Sequence, residues 1–210
     1  MKKIFKALAL VLLIPFTAIA APQEQDARLF VHNSGYALID ALQTQDLEQK
    51  YATLDNLFDE KADTYYIAKF VLGQYYREFD EQQKQQYHAL FNRYIKSLYK
   101  NYPLDFETKN LNFDIVSVKK NNDFFDVGCL IDLPEKYRNE NMQNVKVEFK
   151  LKTDDDQLKF VDFKIGEASM LLTLRSRFVQ MMKDSDEEPS WFLQDFEDLT
   201  ISNEAQVRQE

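Results

Sequence analysis

Val145-Lys146-Val147-Glu148-Phe149-Lys150-Leu151-Lys152 alternates apolar and charged residues over eight positions. A period of two puts Val145, Val147, Phe149 and Leu151 on one side of a strand and the charges on the other, the pattern of a half-buried antiparallel strand. Asp154-Asp155-Asp156 reads as a turn leading into Phe160-Val161-Asp162-Phe163-Lys164-Ile165, where Val161, Phe163 and Ile165 share a face. The two segments predict a hairpin. Upstream, Phe113 to Val118 and Phe124 to Ile131 flank the polar stretch Lys119 to Asp123 and predict a second hairpin.

On both sides of this meander the period changes to 3.6. From Asp80 to Tyr102, Tyr87, Leu90, Phe91, Tyr94, Ile95, Leu98 and Tyr99 line one helical face, Asp80 with Gln83 resembles a capping box, and Pro103 supplies a stop. Ala62 to Tyr76 is apolar around most of its circumference and reads as an enclosed helix, with Gly73 permitting close contact. Two more amphipathic segments are expected near Asp26 to Leu42 and Asp46 to Phe58. After Gly166, Met170, Leu171, Leu174, Phe178, Met181 and Met182 return to helical spacing, and Pro189 opens a last short helix containing Trp191, Leu193, Phe196 and Leu199. The order predicts an α+β fold: N-terminal helices packed on one face of a curved four-stranded antiparallel sheet, with C-terminal helices.

The first twenty residues stand apart. Lys2, Lys3 and Lys6 precede the apolar run Ala7 to Ile14, and Ala18-Ile19-Ala20 supplies the small residues a signal peptidase requires. Residues 1–20 are therefore read as a signal peptide cleaved near Ala20; Pro15 interrupts the run, which is short for a membrane span. Residues 21–210 are expected to form one domain ending in a polar tail from about residue 200. The full chain carries a formal charge of −9; losing three lysines leaves 23 basic against 35 acidic residues, a charge of −12. That acidity argues against nucleic acid as a partner, because phosphate contacts need a basic face. Cys129, the one cysteine, excludes an intrachain disulfide, and its apolar neighbours predict burial.

Chemistry is sparse. Two histidines, His32 and His88, are too few for a structural zinc site, and both read most simply as solvated side chains. There is no Gly-x-Ser-x-Gly, no phosphate-cradling glycine loop and no His-Glu-x-x-His. Asp154 to Asp156 and Asp184 to Glu188 read as solvated turns. Asp162 points away from Val161 and Phe163, which suggests exposure or a salt bridge with Lys150. Aromatics, at 14% of the chain with 17 Phe and 11 Tyr, are the surplus that needs explaining. Core packing accounts for any one of them, yet a helix-capped curved sheet also makes a concave apolar pocket, so ligand binding is the positive expectation.

Leu72-Gly73-Gln74-Tyr75-Tyr76-Arg77, the cap Asp80-Glu81-Gln82-Gln83, and then Tyr87, Phe91, Tyr94, Leu98 and Tyr99 resemble the signature segment of the MlaC family, also called the toluene-tolerance family. The resemblance continues in Phe160-Val161-Asp162, in Ala168-Ser169-Met170 and in the helix holding Arg175 and Phe178. Two departures stand out: Gly166-Glu167 replaces the family's Glu-Gly order, and Asp184-Ser185-Asp186-Glu187-Glu188-Pro189 replaces a glycine-rich segment before the last helix.

The resemblance implies a fold similar to the nuclear-transport-factor-2 cone, with a deep pocket that takes phospholipid acyl chains. It implies a non-enzymatic periplasmic carrier without cofactor, its bound phospholipid being cargo. Partners implied are an outer-membrane lipoprotein complex and an inner-membrane ABC transporter with an MCE-domain protein, between which lipid is shuttled to maintain outer-membrane lipid asymmetry. Carried over by position, the lipid-binding residues are Val147, Phe149, Leu151, Phe163, Ile165, Ala168 and Met170, with Leu72, Tyr75 and Tyr76 from the helices. Alternatives are a hopanoid or sterol-like cargo and, from another class, a cone-fold isomerase or dehydratase, which needs Asp162 pointing inward beside a Tyr or His.

Overall fold

The computed structural model describes residues 21–101, 111–133, 138 and 143–207. The signal segment, Tyr102, Pro103 and residues 208–210 lie outside the described residues. Helices α1 (Glu24–Gln43), α2 (Leu47–Lys61) and α3 (Thr64–Leu72) lead through a 3-10 turn (Gly73–Arg77) into α4 (Glu81–Lys100). Strands β1 (Phe113–Asn121), β2 (Phe124–Asp132), β3 (Asn144–Asp154), β4 (Gln157–Ile165) and β5 (Ala168–Ser169) follow, then α5 (Met170–Asp184) and α6 (Pro189–Val207).

The α+β class and the antiparallel meander are as the sequence predicts, and the strand count is corrected. Among the described residues there are five strands, in the order β1-β2-β3-β4-β5, because Ala168 and Ser169 fold back on Ile165 and Lys164. The sheet is open, with β1 and β5 at its edges. Asp155 and Asp156 both take positive φ, 44° and 60°, which matches the right-handed strand twist at a two-residue hairpin turn.

Register fixes the two faces. Phe125, Val127, Cys129 and Ile131 on β2 stand opposite Leu151, Phe149, Val147 and Val145 on β3. On β4, Phe163 and Ile165 pair with Phe149 and Val147, but Leu151 pairs with Phe160, so Val161 is the extra residue of a bulge. Strict alternation, which grouped Val161 with Phe163 and Ile165, therefore breaks at one position. Helix α1 lays Ala27 and Val31 on Phe125, Val127, Cys129, Leu151 and Leu158, making one apolar core.

The second core is helical. Leu72, Tyr75 and Tyr76 join Tyr87, Phe91 and Tyr94 of α4, Leu174, Phe178 and Met182 of α5, and Phe192 and Phe196 of α6. Ring centroids 5.0–6.3 Å apart link Tyr87, Phe178 and Phe196 in edge or tilted contacts that add to the burial of large side chains. Asp80 caps α4 as expected: its carboxylate accepts from the Gln83 amide at 2.8 Å, and the Gln83 side chain accepts from the Asp80 amide at 2.9 Å, a pairing worth about 1 kcal/mol. The last helix is longer than the short one expected. It runs through residues 200–207, where a polar tail was anticipated, and buries Thr200.

Helices meet both faces of the sheet rather than one. Asp63, the N-cap of α3, receives Lys152 Nζ at 3.1 Å from the charged face, and Tyr66 lies 6.2 Å from Phe124 on that side. The loop Asp184 to Glu188 places Asp186 and Glu187 at φ 52° and 61°. These are left-handed conformations that glycine adopts without strain and an acidic side chain takes up only occasionally.

Gly73 ends α3 at φ 61°, ψ −123°, a region costly for any side chain. A Cβ there would sit 2.5 Å from the Arg175 guanidinium, which is itself held by the Phe70 carbonyl at 2.6 Å. Gly166 has the same φ but faces open space. Gly73→Ala is expected to lower unfolding stability by about 2–3 kcal/mol and Gly166→Ala by about 1 kcal/mol, measured by denaturant titration.

Candidate functional site

The ten residues expected to line a pocket divide into three groups. Leu72, Tyr75 and Tyr76 are packed inside the helical core. Tyr75 donates its hydroxyl to Glu187 at 2.8 Å, which ties the 3-10 turn to the acidic loop before α6. Leu151 is fully buried against α1, and Phe149 packs at the margin of the same cluster. Val147, Phe163, Ile165 and Ala168 lie at the opposite end of β3 and β4 from the hairpin turn, and Met170 opens α5 directly after β5.

These last five form the candidate site. Val147 is buried and Phe163 half-buried, while Ile165, Ala168 and Met170 are exposed. Ile165 pairs with both Val147 and Ala168, so β3, β4 and β5 present one continuous apolar strip. Val145 and Ile131, opposite one another on the same face, extend it. Alternation already put Val145 on this face, whereas Ile131 needed the β2–β3 register. Among the described residues, α1 packs against β1 and β2 and sets Phe30 on Phe160 of β4, and α2 packs against β4; the cluster beneath α1 reaches Phe113 on β1, Cys129 on β2 and Phe149 on β3.

A shallow groove of about 390 Å³ lies elsewhere, between the start of α1 and the β3–β4 turn, lined by Pro22, Asp26, Leu29, Phe30, Asp156 and Leu158. It includes none of the ten, and two carboxylates at its rim make it a poor host for a hydrocarbon chain.

The polar candidates have structural partners. Asp162 stands opposite Lys150 on the charged face, yet its carboxylate accepts from the Ser169 hydroxyl at 2.6 Å and the Leu171 amide at 2.8 Å. It caps α5 instead of pairing with Lys150, which binds Asp126. His88 is not free in solvent: its ring stacks on Tyr65 at 4.4 Å, and Nε2 lies 2.9 Å from the Tyr76 hydroxyl. His32 stays at the surface beside Asn33. Cys129 is fully buried, and burial pushes its thiol up to about 11. Among the described residues no group of three or more His, Cys, Asp or Glu side chains could hold a metal ion, and no helix is long and apolar enough to cross a membrane.

Helices on both faces of an open antiparallel meander, with an apolar strip at one end of the sheet, define an α+β domain. The model of the MlaC protein family matches residues 37–191; the chain belongs to the MlaC family. A similar solved structure is that of the phospholipid-binding protein from Ralstonia solanacearum in complex with a phospholipid. It is 13% identical, with 87% of this chain and 98% of that chain covered and a TM-score of 0.67. No match was found among the curated proteins.

Burial holds His88 below its ordinary value of 6.5. The neutral ring is the folded form, so its contribution to stability is complete above about pH 6.5 and is lost as the pH falls through the lower folded value. Thermal melts between pH 7.5 and 5 are expected to show the wild type losing more stability than His88→Phe, which keeps the stack on Tyr65 but cannot titrate.

Proposed function

We propose that this chain is a soluble periplasmic carrier that holds phospholipid acyl chains against the apolar strip of β3, β4 and β5. Membership of the MlaC family, found in a chain whose sheet continues its apolar face beyond the helix that covers it, carries this reading. Residues 1–20 would direct export and be removed near Ala20, leaving 21–210 as the working domain. Cargo would pass between an outer-membrane lipoprotein complex and an inner-membrane ABC transporter with an MCE-domain protein, sustaining the lipid asymmetry of the outer membrane.

The physical need for such a carrier is large. Each exposed methylene costs about 0.8 kcal/mol, so roughly 30 methylenes cost on the order of 24 kcal/mol in water. Binding without covalent chemistry answers that need. Val147, Phe149, Phe163, Ile165, Ala168 and Met170 would contact the tails, Leu151 would support them from beneath α1, and Leu72, Tyr75 and Tyr76 would hold the helical block behind the sheet. The isomerase reading is disfavoured by one contact set: Asp162 faces the other side of the sheet and is committed to the start of α5.

Native mass spectrometry of protein exported through its own signal and purified without detergent is expected to show adducts of phospholipid mass. Val147→Asp and Phe163→Asp, each placing a charge in the strip, should reduce adduct occupancy at least tenfold while the circular dichroism stays folded. Adducts of hopanoid mass would change the cargo, and a clean apo mass would reject the carrier reading.

A further inference from the structure

We infer that acyl chains enter and leave over the corner formed by β4, β5 and the start of α5, with Asp162 as the positioning residue that holds this corner in shape. The inference rests on the carrier reading above. Ile165, Met170 and Leu172 are 52%, 40% and 57% exposed within eight residues of chain, with exposed Ala168 between them. The other apolar residues on the same helix turn inward: Leu171, Leu174, Phe178 and Met182 are buried and Val179 and Met181 half-buried against the helical core. Ile165, at the strand end of this lip, pairs with buried Val147 and stands two residues from half-buried Phe163 on the same face. A methylene chain sliding along it exchanges water for apolar contact at every step, which no scattered surface residue provides.

The corner is built to be both loose and aligned. Strand β5 is joined to β4 through just two residue pairs, Lys164 with Ser169 and Ile165 with Ala168. Between them Gly166, at φ 61°, has nothing within 4 Å of where a Cβ would stand, so the turn is clear of the body. Alignment comes from the opposite face. Asp162 Oδ2 accepts from the Ser169 hydroxyl and Oδ1 from the Leu171 amide, while Ser169 Oγ accepts from the Leu172 amide at 3.1 Å. A carboxylate on the positive end of α5 is a favourable charge arrangement. It fixes where Met170 and Leu172 stand without touching cargo. One turn further along α5, Arg175 donates to the Phe70 carbonyl and lies over its ring, so the helix cannot rotate to compensate.

The test follows stopped-flow uptake of pyrene-labelled phosphatidylglycerol, from vesicles of phosphatidylethanolamine and phosphatidylglycerol, by the lipid-stripped chain lacking residues 1–20. Leu172→Ser is expected to slow uptake several-fold with the amount of lipid held at saturation unchanged, because the lip meets cargo in passage. Asp162→Ala should slow uptake about fivefold, and Asp162→Asn, which keeps an acceptor for the Leu171 amide, should recover part of the rate. Asp80→Ala removes an equivalent cap from α4, far from the corner, and should leave the rate unchanged at a similar loss of melting temperature. Unchanged rates in Leu172→Ser and Asp162→Ala, or a slowing in Asp80→Ala that tracks stability, would overturn the portal. Should Asp162→Ala not fold, Leu172→Ser decides alone. Wild-type protein that takes up no lipid overturns the carrier reading instead.

Discussion

The central strand β3 cannot satisfy both its faces in the same medium. Val147, Phe149 and Leu151 must leave water, while Lys146, Glu148, Lys150 and Lys152 must stay near it or find counter-charges. The neighbours answer this demand: Phe125, Val127 and Cys129 extend the apolar side across β2, and Asp126, Asp63 and Asp154 meet Lys150 and Lys152 on the other. Helix α1 then covers the apolar face at Phe125, Leu151 and Leu158, with Phe30 on Phe160 of β4, at the hairpin-turn end of the sheet. The apolar strip of Val147, Phe163, Ile165 and Ala168 continues that face away from the hairpin turn, and it is where we propose that acyl chains bind.

The helical core plays the complementary part. Its interior is occupied by interlocking rings, from Tyr87 and Phe91 to Phe178, Phe192 and Phe196, which packs α3, α4, α5 and α6 into a stiff block. Polar contacts join that block to the sheet: Asp162 with the start of α5, and Lys152 with Asp63 at the start of α3. Between α2 and α4, Tyr99 and Lys100 both donate to Asp55, at 2.5 and 2.8 Å. Charged and hydroxyl groups thus join two tightly packed apolar units on opposite faces of the sheet, and the strip lies on the face that α1 packs against.

Much of this was legible in the residues. Period two over Val145–Lys152, period 3.6 over α4 and the Asp80–Gln83 cap each report a local interaction, and local interactions are what a sequence shows directly. The bulge that displaces Val161 was hidden, because it arises from how β4 fits β3 rather than from β4 itself. Leu72, Tyr75 and Tyr76 share the apolar character of the strip, and only packing assigns them to the helical core. Asp162 was read as pointing outward, and it does, but its use as a cap depends on a chain reversal at Gly166 that brings Ser169 and Leu171 back to it.

The central claim is that acyl chains lie on the β3–β4–β5 strip. A phospholipid carrying a diazirine at the end of one acyl chain, irradiated in complex with the lipid-stripped protein and mapped by peptide mass spectrometry, tests it at residue level. The account predicts covalent label on β3 and β4, at Val147, Phe149 or Phe163. Label confined to α4 and α6, at residues such as Phe91 or Phe196, or no label above a protein-free lipid background, would contradict it.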